Sequence, residues 1–120
     1  MKPLIVFAIL FTVISQCGTA CAGPLDETRY CGTPKRDASG AIYRSSAVTT
    51  AFQKLHPCPA TGKTSGACPG WQKDHVVPLA SCGCDAVDNM QWLPVSIKTC
   101  ANSGCKDRWE RTVYVCPVVP

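Results

Sequence analysis

Hydrophobic and polar residues alternate with several different periods along this chain, and each change of period marks an element. After Met1-Lys2, residues 3–15 are almost wholly apolar, and Ala20-Cys21-Ala22 has the small-x-small form of a signal cleavage site. Residues 1–22 therefore read as an export signal, with the mature chain starting at Gly23. The apolar run is short for a membrane span and no second one follows, so no stable membrane insertion is expected. A lipid anchor through Cys17 or Cys21 is the lesser alternative, because neither has the usual lipoprotein residues before it.

Residues 23–39 read as an irregular arm ending in a turn at Lys35–Gly40, and Ala41-Ile42-Tyr43-Arg44 as a short strand. Ser45 or Ser46 can cap a helix. Ala47, Val48, Ala51, Phe52 and Leu55 then recur at helical spacing up to His56, and Pro57 stops the run. Residues 58–70 are rich in Pro, Gly, Ser and Thr and read as a loop. Trp71 to Leu79 alternates as a strand, Ser81–Asp85 is turn chemistry, and Met90 to Val95 returns. Ser96 caps a short helix that Asn102-Ser103-Gly104 interrupts and that resumes over Cys105 to Arg111. Thr112–Val115, β-branched and aromatic, suits a closing strand or an extended tail. The pattern predicts one small α+β domain with an N-terminal strand and helix.

Cysteine usage adds covalent cross-links to this picture. Of the ten cysteines, Cys17 and Cys21 lie in the leader and eight remain. An even number in a short exported chain reads as a disulfide framework, each bond contributing about 2–4 kcal/mol. Local spacing favours Cys58 with Cys68 and Cys100 with Cys105, and Cys31 with Cys116 would join the ends. Cys82 and Cys84 are then left over. About a hundred pairings are formally open. Structural zinc is the minority reading, since no Cys-x-x-Cys occurs. A thiol redox role for Cys82-Gly83-Cys84 is a further, weaker idea.

Charge changes the picture less. The chain has twelve Lys and Arg against eight Asp and Glu, and loss of Lys2 with the leader leaves eleven against eight. That mild basicity suits a polyanionic partner without requiring one.

The chemistry concentrates in Lys73-Asp74-His75-Val76-Val77-Pro78-Leu79 and in Asn89-Met90-Gln91-Trp92, which a hairpin would bring together. A carboxylate that holds a divalent cation beside an imidazole that activates water is what metal-assisted phosphodiester hydrolysis requires. His56, the other histidine, ends a helix and reads as structural. Arg44, Lys73, Lys106, Arg108 and Arg111 are candidate phosphate contacts, although they form no dense basic run.

From Gly40 to Arg111 the chain resembles the HNH endonucleases, which share a ββα-metal fold. The resemblance is carried by Gly40-Ala41-Ile42-Tyr43-Arg44-Ser45, His56-Pro57-Cys58-Pro59-Ala60-Thr61-Gly62, Cys68-Pro69-Gly70, Asp74-His75-Val76-Val77-Pro78-Leu79, Asn89-Met90-Gln91-Trp92 and Lys106-Asp107-Arg108-Trp109-Glu110-Arg111, in that order. It implies a nuclease domain over residues 40–120 with a ββα-metal core. It also implies His75 as general base, Asn89 as the residue orienting it, and Asp74 as metal ligand. The helix of that family normally runs unbroken to its last ligand, whereas here Cys100 and Cys105 intervene. Asp107 is the preferred further ligand and Asn102 the second choice. Oxygen donors favour one Mg²⁺ or Mn²⁺ ion over zinc. The expected partner is nucleic acid, DNA first and RNA as the further candidate, cut with little sequence preference by a monomer. Export would make the enzyme secreted or periplasmic. The competing reading is a non-catalytic, disulfide-rich exported binding module on a degenerate scaffold of the same kind.

Overall fold

The computed structural model describes residues 27–100 and 104–116. The leader read at residues 1–22 and the second-choice ligand Asn102 lie outside the described residues. Helix α1 (Ser46–Leu55) is followed by an antiparallel hairpin of β1 (Trp71–His75) and β2 (Met90–Pro94). Then come the short α2 (Val95–Lys98) and α3 (Lys106–Val113). Helices packed on a two-stranded sheet make the chain α+β, as the patterning indicates.

Each boundary has a local cause. Ser45 is the N-cap of α1, its side chain accepting from the Val48 amide, and the helix stops before His56-Pro57. Phe52 is buried beneath the sheet side chain Trp92, with ring centroids 5.7 Å apart. Leu55, read as the end of the apolar stripe, is instead exposed, although the next residue, His56, still accepts at its carbonyl from Trp92 Nε1. In the hairpin, Asp74 lies opposite Gln91 and His75 opposite Met90. The connection through residues 76–89 is long for a hairpin, and the side chain of Asn89 organises it. Asn89 Oδ1 accepts from the Val77 amide at 2.9 Å, while Nδ2 donates to the Val77 and Cys84 carbonyls at 2.9 and 2.8 Å. Gly83 fits there because it lacks a side chain: a Cβ would sit 2.1 Å from the Val77 carbonyl oxygen.

Two expected strands do not form. Residues 41–44 contribute only a single bridge, Arg36 with Ile42. The facing residues 35–37 add only the hydrogen bonds from the Asp37 amide to Ala41 and from the Tyr43 amide to Lys35, around a tight turn capped by the Asp37 carboxylate. Thr112 and Val113 complete α3 rather than starting a strand, since a helix already under way continues at the cost of only weak β preference, and the chain turns extended only from Tyr114, as the tail alternative has it.

Four disulfides link the described cysteines: Cys31–Cys84, Cys58–Cys68, Cys82–Cys116 and Cys100–Cys105. The two local pairs are those expected from spacing, but Cys31 does not pair with Cys116. Tyr30 bridges to Gly83, and the Cys31 amide donates to the Cys82 carbonyl, so the N-terminal arm is fastened alongside residues 82–84. Cys84 thereby meets Cys31. Cys82, in a left-handed conformation (φ 69°), reaches Cys116. With a separation of 53 residues, the first of these bonds restricts the unfolded chain by about 4 kcal/mol in the chain-entropy description. All eight cysteines are thus consumed, which removes both the zinc reading and a free-thiol role for Cys82-Gly83-Cys84. Four such bonds belong to an oxidising environment. No helix among the described residues is long and apolar enough to cross a membrane.

Candidate functional site

Adjacent residues on a strand normally face opposite sides of the sheet. Asp74 and His75 nevertheless line the same polar cavity of about 310 Å³, because His75 is the last residue of β1, where the chain leaves the ladder. Arg44, Lys98, Asp107, Glu110 and Arg111 complete its charged lining. A larger cavity of about 430 Å³, bordered by Tyr43, Lys35 and Asp85, lacks such a concentration of groups.

His75 is 5 % exposed, and both ring nitrogens face charged partners. Nε2 lies 3.1 Å from Asp85 Oδ1, and Nδ1 lies 3.4 Å from the Arg44 guanidinium. A carboxylate only accepts and a guanidinium only donates, so the neutral ring carries its proton on Nε2 and its lone pair on Nδ1. Burial pushes the imidazole pKa down. The hydrogen bond and charge of Asp85 oppose this, Arg44 reinforces it, and the net shift is below the usual 6.5. The ring is therefore neutral at neutral pH. Because the unfolded chain takes up this proton first, the histidine weakens the fold as pH falls through 6.5 toward its lower folded value.

Asp85 itself is held from the other side: its Oδ2 accepts from the Ser45 amide at 2.6 Å, which joins the N-terminus of α1 to the hairpin connection. Thus the residue that orients His75 is Asp85. The expected Asn89–His75 contact is not made, because the Asn89 amide is fully engaged with loop backbone. Asn89 acts on the site indirectly, by fixing the loop that carries Asp85.

The second part of the site is a cluster of three carboxylates. Oxygens of Asp74, Asp107 and Glu110 lie within 4.8 Å of one another, so the two acidic residues expected to share an ion do converge, joined by Glu110. Asp74 is buried, Glu110 partly buried and Asp107 exposed. Two ammonium groups stand among them. Lys98 bridges Asp74 Oδ1 at 2.5 Å and Asp107 Oδ1 at 3.2 Å. Lys106 contacts Asp74 Oδ2 at 2.9 Å, the His75 carbonyl at 2.9 Å, and Glu110. Gln91, opposite Asp74 in the ladder, donates to Oδ2 at 3.0 Å. Burial alone would raise the Asp74 pKa, but the hydrogen bonds from Lys98, Gln91 and Lys106 hold it below the ordinary carboxylate value. Burial likewise lowers the Lys98 pKa, and Asp74 and Asp107 more than reverse it. The three carboxylates could hold a metal ion.

The basic residues divide. Arg44 and Arg111 line the cavity, whereas Arg108 is exposed and does not line it. Lys73 faces away, with its ammonium 5.8 Å from the Trp92 ring centroid. Lys106, read as a phosphate contact, is 4 % exposed and locked among acceptors, so it is a structural counter-ion to Asp74. Asp85, Lys98, Glu110 and Gln91 escaped the sequence reading. Gln91 could have been found from the hairpin register, and Glu110 from its helical spacing to Lys106 and Asp107. Searches for family models, curated proteins and solved structures found no match to this chain.

Proposed function

We propose that the chain is a metal-dependent endonuclease of the HNH type that hydrolyses phosphodiester bonds of nucleic acid. The observation that carries this reading is the convergence on one cavity of an oriented neutral imidazole, a carboxylate trio and two arginines. The likeness of the ordered sequence motifs to HNH enzymes supports it independently. In this reading His75 Nδ1 takes the proton of the attacking water, while Asp85 keeps Nε2–H in place and stabilises the imidazolium that forms. A phosphate oxygen is a stronger partner for Arg44 than a ring nitrogen, so a bound phosphodiester draws the guanidinium away and leaves the lone pair to water. Arg111 offers a second phosphate contact. Asp74, Asp107 and Glu110 would hold the cation, which supplies charge against the negative charge that builds up at the scissile phosphate and its leaving oxygen. DNA is the expected substrate and RNA the further candidate. Secretion through the leader fits the disulfide content.

The non-catalytic binding module remains the second reading, favoured by the fact that both Asp74 oxygens are already neutralised by lysines. Incubation of purified, oxidised protein with supercoiled plasmid and Mg²⁺ or Mn²⁺ separates them. Nicking that EDTA abolishes is expected. Nicking that survives EDTA overturns the metal requirement, and inertness toward both DNA and RNA overturns the enzyme.

The pH dependence follows from the imidazole. Cleavage should fall as pH drops, with its acid limb centred below the usual histidine value of 6.5. Asp85→Asn removes the carboxylate that does most to raise the His75 pKa, so the limb should move to still lower pH. The rate on the plateau should drop about 10–100-fold, as when a supporting hydrogen-bond partner is lost. A pH–rate profile of both proteins checks this, and an unmoved limb in the variant would refute the assigned role.

A further inference from the structure

Asp74 cannot bind a metal ion without giving something up. Its Oδ1 is taken by Lys98, and its Oδ2 by Lys106 and Gln91. The two lysines are not equivalent. The Lys106 side chain is 5 % exposed and reaches three acceptors, one of them the His75 main-chain carbonyl, so moving it would disturb the strand end itself. The Lys98 side chain is 19 % exposed and its two partners are both carboxylates of the cluster. It sits at the last residue of the four-residue helix α2 and projects into the cavity, where solvent can receive its ammonium.

We propose that Lys98 is a tethered counter-ion that occupies the carboxylate cluster and is displaced by the divalent cation. This rests on the reading of the cluster as a metal site. The exchange is one of like for like: an ammonium leaves Asp74 Oδ1 and Asp107 Oδ1, and those oxygens become ligands. Without Lys98, Asp74 and Asp107 would repel one another across the cavity mouth, so the lysine keeps the site assembled until the ion arrives. Its cost is reduced metal affinity, because charge-assisted hydrogen bonds must be broken first. Once released, the ammonium stays on its stem in a cavity that Arg44 and Arg111 also line, where a phosphate can accept it.

Calorimetric titration with Mn²⁺ of the oxidised wild-type protein and of Lys98→Met tests the exchange. The variant is expected to bind Mn²⁺ at least about tenfold more tightly, since loss of a hydrogen bond between charged groups no longer accompanies binding. Its thermal midpoint without metal should fall, and the increase on adding Mn²⁺ should exceed that of wild type. A second measurement needs no variant. Acetylation of wild-type protein by an amine-reactive ester, read by peptide mass spectrometry, should modify Lys98 several-fold faster at saturating Mn²⁺, with Lys106 unchanged. Equal Mn²⁺ affinities, or Lys98 labelling indifferent to Mn²⁺, overturn the displacement while leaving the metal site standing. If neither protein binds Mn²⁺ or Mg²⁺, the metal site and the displacement fall together.

Discussion

Replacing His75 by alanine is expected to slow cleavage of nucleic acid by about 10²–10⁴-fold, the range that a positioned general base contributes. The two partners of the ring make this a clean test. Removing the imidazole leaves Arg44 and Asp85, which flanked it at 3.4 and 3.1 Å, facing one another across the gap with opposite charges. They can then pair, so the variant should keep its fold and its disulfides. Thermal unfolding and Mn²⁺ titration of the variant serve as controls, because neither Asp74, Asp107 nor Glu110 depends on the His75 ring. A variant that is folded, binds Mn²⁺ and cuts plasmid at nearly the wild-type rate would eliminate His75 as base.

Asp74→Asn should lower stability as well as weaken the proposed metal site. The carboxylate is the shared counter-charge of Lys98 and Lys106, and the Lys106 side chain is 5 % exposed. An amide of the same shape offers one acceptor and turns a donor toward an ammonium. Breaking a buried ion pair from one side typically costs about 3–5 kcal/mol when the remaining charge is stranded; Lys106 keeps Glu110 and the His75 carbonyl, so the loss should fall toward or below the lower end of that range. The partly exposed Lys98 adds little to that figure, its interaction being screened by solvent. Urea unfolding of oxidised wild type, Asp74→Asn, Lys106→Met and the double variant measures it. The double variant should recover much of the loss, the mark of a coupled pair. A single-variant loss below about 1 kcal/mol would mean that the lysine is hydrated and the pair contributes little. The acid side gives a further check. Asp74 is held below its usual 3.8, so its stabilisation is present above that pH and disappears as pH falls through the lower folded value. Asp74→Asn should lack this component of the acid transition.

The hairpin was legible because its two polar clusters stand at the ends of short apolar runs, and the α1 boundaries because serine and proline act through local backbone chemistry. Asp74 and Asp107 were legible as partners only through their place in an ordered set of motifs. Asp85 was not legible at all. A turn aspartate looks like any other turn aspartate until α1 packs its Ser45 amide against one oxygen and β1 delivers His75 to the other. Lys98 was hidden for the same reason: its partners lie 24 and 9 residues away, beyond any local pattern. The pairing of Cys31 with Cys84 depends on the backbone contacts of residues 29–31 with residues 82–84, which no spacing rule encodes. Thr112 and Val113 misled because β preference is a small energy that helix continuation exceeds.

One tripeptide, Cys82-Gly83-Cys84, receives sulfur bonds from both sides, from Cys31 ahead of it and Cys116 behind it, and the next residue is Asp85. The imidazole's carboxylate companion is therefore mounted on a clasp that only oxidation closes. Ribosome-fresh, thiol-bearing chain has every residue of the site but lacks the buckle that sets one of them in position.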